Sequence, residues 1–231
     1  SLVGSEMCIR DSSEALYRKA IGMYHGSSKE PMAWLHLQLG LSDLGRGRYD
    51  EALAHYREAE THLSGYWLID EHIAEILVLT GKVDDAKKLY LDIIARTNNP
   101  EFMDAMAGIM REAGNQPEAD AYVSKARERY EDLMAMYPEA SYGHALGHFI
   151  EFGDDPKFTI DMAEKNHALR PNADAKILLA QAYLKGDRGK DAQRVIEETL
   201  ATPWRTADLH AVAAEIYRAV GDTASADTQI A

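Results

Sequence analysis

Apolar residues recur at three- and four-residue spacing along most of the chain, broken at regular intervals by short polar or glycine-bearing stretches. The run from Met32 to Glu60, MAWLHLQLGLSDLGRGRYDEALAHYREAE, shows the unit. It reads as two amphipathic helices around a turn: Leu39 and Gly40 on the first, Gly47 in the turn, and Ala52, Tyr56 and Ala59 on the second. The small residue at Gly40 recurs as Ala74, Ala107, Gly147, Ala180 and Ala214. That at Ala52 recurs as Ala86, Ala119, Thr159, Ala192 and Ala226. By sequence the two columns lie 12 residues apart in each copy, and successive copies are offset by 34, 33, 40, 33 and 34 residues.

A fixed gap between small residues has a mechanical meaning, because paired helices approach closely only where side chains are short. Large apolar residues flank the contact. Leu39, Ile73, Met106, Leu146 and Leu179 precede the first column, and Tyr56, Tyr90, Val123 and Ile196 follow the second by one helical turn. Gly47, Gly81, Gly114 and Gly221 supply turns in which a positive φ costs glycine little. A repeat of this length is the signature of a stacked array rather than of a globule with one centre.

The Leu-Gly or Ile-Ala pair, the turn glycine, the Ala…Tyr…Ala run and Pro171 in LRPNA resemble the tetratricopeptide repeat (TPR) family over about residues 13–231. Thr159 and Asn166, where alanines are expected, and the long interval before Gly147 depart from its pattern. The resemblance implies an all-α fold, an α-solenoid of antiparallel helix hairpins wound into a right-handed superhelix. Its first helices would line a concave groove that holds peptides. Copies are expected to start near residues 32, 67, 100, 141, 173 and 207, preceded by a partial copy at 13–24, all within a single domain. The 40-residue interval predicts a second helix about two turns longer than its siblings, ending near Tyr137. Residues 1–12, SLVGSEMCIRDS, resemble a translated adapter read-through and are expected to be non-native or disordered, with the true N-terminus absent.

Composition changes the picture in three ways. No apolar run approaches the ~20 residues of a membrane-spanning helix. A formal net charge of −13 argues against nucleic acid as a general partner. Cys8, the single cysteine, excludes an intrachain disulfide and any zinc site built on paired cysteines. The compartment stays open, with a soluble cytoplasmic setting favoured.

Among candidate chemistry, GLSDLGRGR from Gly40 to Arg48 lacks the Lys-Ser/Thr of a phosphate loop and sits inside a helical hairpin. No nucleophile–base arrangement emerges, so no catalytic residue and no cofactor is expected. His144 and His148 are four apart on one expected helix, with Glu151 a turn further and His167 on the neighbouring helix. Zinc needs three or four protein ligands, so these are read as groove-facing histidines that hydrogen-bond a partner. A metal-dependent activity there is the minor alternative.

Charge placement carries the functional expectation. Groove-lining residues on the first helices are Glu71, Glu75, Glu101, Asp104, Glu151, Asp174, Asp208 and Glu215, with Gln181 among them. Arg111 is one of few cations on that side. Many cations, such as Lys87, Lys88, Lys165 and Arg194, fall on second helices. Trp34, Leu37 and Leu41 give the first copy an apolar face, either core beneath the N-terminal segment or an anchor pocket. The resemblance thus implies a non-catalytic scaffold that binds a Lys/Arg-bearing segment of another protein in an acidic groove. A second copy of the chain is a further candidate partner. The alternative is a regulatory or localising region of a larger, possibly enzymatic chain.

Overall fold

The computed structural model describes residues 2–230, with side chains from Ser12 onward. The expectation for residues 1–12 therefore falls, Ser12 apart, on side chains outside the described residues. Thirteen helices follow one another among them: α1 Leu2–Met23, α2 Glu30–Leu44, α3 Tyr49–His62, α4 Trp67–Leu79, α5 Val83–Thr97, α6 Pro100–Glu112, α7 Gln116–Met136, α8 Pro138–Phe152, α9 Pro156–Leu169, α10 Ala173–Lys185, α11 Gly189–Leu200, α12 Ala207–Ala219 and α13 Thr223–Ile230. The fold is all-α, built of antiparallel hairpins.

Local chemistry explains where many of the helices begin. Pro31, Pro100, Pro138 and Pro156 occupy first-turn positions, where a missing N–H costs nothing. Asn99, Asp155, Asn172 and Thr206 cap α6, α9, α10 and α12 by accepting from backbone N–H groups one turn in. α7 has 21 residues against 14 in α3 and in α9. That is about two extra turns, and it absorbs the long interval.

The chain divides into two compact units, Ser1–Ala119 and Asp120–Ala231. In the first, each helix from α1 to α6 packs on the next. In the second, α8 to α13 do the same, and α10 also meets α8 and α12. The small columns form the contacts: Ala74, Ala107, Ala180 and Ala214 are at most 1% exposed, as are Ala52, Ala86, Ala119, Ala192 and Ala226. Gly40 is the tightest of them. A Cβ there would lie 2.2 Å from the Tyr56 ring, which is itself fully buried.

Two buried aspartates each brace a single hairpin. Asp70, 5% exposed, takes Arg96 at 2.5 Å, and the same guanidinium donates to Asp92 (2.8 Å) and to the Gly65 carbonyl (2.7 Å). Asp43 pairs with Arg48.

Copy four corrects the expected register. In the other turns the residue seven after the column takes the left-handed conformation: Gly47, Gly81, Gly114 and Gly221, and Asp187 at φ 57°. No residue of the copy-four turn does so; α8 ends instead at Gly153 in extended backbone (φ −67°, ψ 146°). The helix consequently presents a face displaced by one residue. α8 buries Ala145, Leu146, His148 and Phe149, in the pattern in which α10 buries Leu179, Ala180, Ala182 and Tyr183. Leu146, not Gly147, fills the column, 13 residues before Thr159. Gly147 is exposed, with nothing within 4 Å of a built Cβ.

Candidate functional site

Within the first unit, α4, α5 and α6 enclose a surface cleft of about 230 Å³. Its lining includes Glu75, Val78 and Leu79 from α4, Tyr90 from α5, and Gly108, Ile109 and Glu112 from α6. Its walls are apolar, and Leu79 is half exposed. Its depth comes from Gly108, a helical glycine with open space where a Cβ would project. Two carboxylates belong to the rim.

The acidic side of α4 continues from this cleft. The His72 Nδ1 lies 3.2 Å from both Glu71 and Glu75, and its ring stacks on Tyr56 at 5.3 Å. Burial is the main force on the Glu71 carboxyl and raises its pKa to about 7; His72 opposes the shift, while Glu75 and Glu101 add to it. Glu71 of α4 and Glu101 of α6 are therefore close enough to repel. Burial and the same two α4 carboxylates also push the Tyr90 phenol up.

In the second unit, partial desolvation and the Asp174 charge raise Asp208, whose residue as a whole stays exposed; α10 and α12 acids thus face each other in the same manner. The second-helix cations behave differently. Lys87, Lys88, Lys165 and Arg194 each meet an acid of their own helix three or four residues away, at 2.6–3.2 Å. Those faces are locally neutralised, whereas acids outnumber the cations, such as Arg111 and Arg218, on the first helices.

The remaining expected groove residues divide. Trp34 is 52% exposed, edge-on to Tyr17 of α1 at 5.9 Å, and Leu41 is half-buried. Leu37 is a correction: at 1% exposure it belongs to the core between helices. Asp104 and Gln181 are half-buried, whereas Arg111, Glu151, Asp174, Asp208 and Glu215 are exposed, all on first helices.

His144 and His148 do not share a face. His144 is exposed, but His148 is 2% exposed among Tyr130, Phe149 and Phe152, with ring centres 5.1–5.3 Å apart. The one-residue displacement of α8 turns it inward. Sequence reasoning also missed His72, and a group formed by His36, Glu58 and His62 that joins two helices. The signal for the latter was only three histidines, His36, His55 and His62, within one hairpin. Among the described residues no helix is long and apolar enough to cross a membrane.

Comparison with known proteins places this architecture. The chain is similar in fold to a chain of the APC/C hetero-tetramer Cut9–Hcn1, with TM-score 0.54, 16% identity, and coverage of 96% of this chain and 42% of that one. Yeast Tom70 gives TM-score 0.53 at 19% identity, over 94% of this chain and 43% of its own. A tetratricopeptide repeat protein from Parabacteroides merdae gives TM-score 0.48 at 16% identity, over 89% and 78%. Residues 43–109 match the tetratricopeptide repeat family itself. That segment carries tetratricopeptide repeats, and the likeness in fold extends over most of the chain. No curated sequence matches it, and it spans less than half the length of the Cut9–Hcn1 and Tom70 chains. The cleft lies on α4, α5 and α6, and all its lining residues but Glu112 fall inside the matched segment.

Proposed function

We propose that this protein is a non-catalytic scaffold that binds a segment of another protein bearing Lys or Arg beside an apolar residue. The observation that carries the reading is the α4–α6 cleft. Its Val78, Leu79 and Ile109 walls suit an apolar side chain, and Glu75 and Glu112 flank the opening. Glu71 adds a half-buried carboxylate, raised chiefly by burial and further by its acidic neighbours, a state that an incoming cation relieves. A predominantly acidic cleft rim also concentrates oppositely charged partners and speeds their encounter.

The experiment is surface-immobilised kinetics with a short probe peptide in which Leu is flanked by lysines. Reversal of Glu75 and Glu112 to Lys is expected to slow association and flatten its salt dependence, because rim charges act chiefly on the on-rate. Reversal of Glu58, outside the cleft on α3, is expected to change neither. Equal effects from the two reversals, or association indifferent to salt, would overturn the reading.

A further inference from the structure

Away from the cleft, the first hairpin gathers histidines from two antiparallel helices. His36 lies in the first half of α2, and Glu58 and His62 lie in the last two turns of α3. One donor atom from each can be chosen so that all three are within 4.8 Å of one another. The His36 and His62 rings are 5.7 Å apart and within 19° of parallel. Two imidazoles on one tetrahedral zinc, with Zn–N near 2.0–2.1 Å, have ring centres about 5 Å apart. Donor atoms on such an ion lie about 3.3 Å apart, so side-chain rotations must draw the set together. Glu58 already reaches His62 Nε2 at 3.6 Å, one helical turn along α3.

A second observation is independent of this geometry. The His36 Nδ1 is buried and has no hydrogen-bond partner among the described residues. A buried polar atom left unsatisfied is costly, and a cation that takes its lone pair removes that cost. The neutral imidazole is the form that binds metals, and the Arg18 charge on α1 is already met by Glu14 at 2.9 Å. His55, 5.8 Å from His36, leans on Asp43 instead (3.7 Å).

We propose that His36, Glu58 and His62 bind a divalent cation of the zinc class, pinning the first half of α2 against the end of α3. Two imidazoles and one carboxylate suit Zn²⁺ and its neighbours rather than Mg²⁺ or Ca²⁺, which prefer oxygen. Three protein donors leave a fourth position for water. The cation would cross-link two segments that the hairpin alone holds by packing, and it would stabilise the folded first copy by mass action.

The test is calorimetric titration of the full chain with ZnCl₂ in a Cys8→Ser background, which removes the thiol. Visible absorption with Co²⁺ reports the donor geometry. The expected result is one ion per chain and a higher unfolding temperature with zinc. Glu58→Gln and His62→Gln should weaken binding by at least the ~10–100-fold that loss of even an outer partner costs a metal site. Glu58 is exposed, so its variant keeps the fold, and metal-free thermal unfolding verifies this for each. His72→Gln, which alters the other His/Glu group on α4, is expected to leave binding unchanged. No zinc uptake, uptake insensitive to Glu58→Gln and His62→Gln, or uptake lost with His72→Gln would each overturn the proposal.

Discussion

Replacing Glu71 with Gln removes a charge that the fold holds at a disadvantage. Burial and the carboxylates of Glu75 and Glu101 raise the group from 4.5 to about 7. The unfolded chain therefore releases this proton near pH 4.5, and the native state keeps it until about pH 7. Stability is at its full value below the lower figure and declines as pH rises through the upper one. A gap of that size corresponds to about 3 kcal/mol at 1.36 kcal/mol per unit. The side chain is 22% exposed, and water reaching that part trims the penalty to ~2–3 kcal/mol. Glu71→Gln should thus stabilise the protein at pH 8 by that amount, raising the unfolding temperature by roughly 5–10 °C, and leave it unchanged at pH 4. Thermal unfolding of parent and variant by circular dichroism, at both pH values, measures the difference. An equal gain at both, or a loss at pH 8, would refute the argument, since either means the native state welcomes the Glu71 charge.

Other substitutions probe the packing. Arg96→Ala leaves the Asp70 carboxylate buried without its guanidinium and should cost about 3–5 kcal/mol in urea unfolding; a loss below 1 kcal/mol, the value of an ordinary surface pair, would mean Asp70 is well solvated. Gly40→Ala and Gly147→Ala fall on the same column by spacing but should act oppositely. The first drives a methyl into Tyr56 and should lose ~1–2 kcal/mol, overpacking exceeding the helix-propensity gain. The second meets open space and should gain up to ~1 kcal/mol; a loss there would contradict the displaced register of α8.

The contrast between those two glycines also marks what the sequence can and cannot reveal. The helical period and the paired small columns were legible because they follow from local spacing and close approach, and Gly40 against Tyr56 is a contact that the spacing implies. His148 was misplaced because a turn conformation decides it: copy four lacks the left-handed residue, and spacing alone does not report a one-residue rotation. Asp187 went unread for a related reason, since Asp tolerates a left-handed φ that glycine usually signals. The acids of α4 and α6 were legible as first-helix residues. Their burial, and His72 between two of them, depend on how neighbouring hairpins pack. Gly108 reads in sequence as a weak helix residue; only the structure shows that its missing side chain opens a cleft. His36, Glu58 and His62 meet through hairpin register, which brings together residues 26 apart.

The role of the cleft is decided most directly at Gly108. Leucine at this position projects into the space among Leu79, Tyr90 and Ile109, and it favours the helix by ~0.8 kcal/mol over glycine. The variant should therefore fold at least as stably as the parent while its cleft is filled. Fluorescence anisotropy with the labelled Leu-and-Lys probe peptide, at about 0.1 M salt where the screening length is ~10 Å, compares the two. The account predicts saturable binding to the parent and affinity lower on the order of tenfold or more for Gly108→Leu, at least 1.4 kcal/mol. Undiminished binding by a folded Gly108→Leu variant would contradict it and move the partner's site elsewhere on the protein.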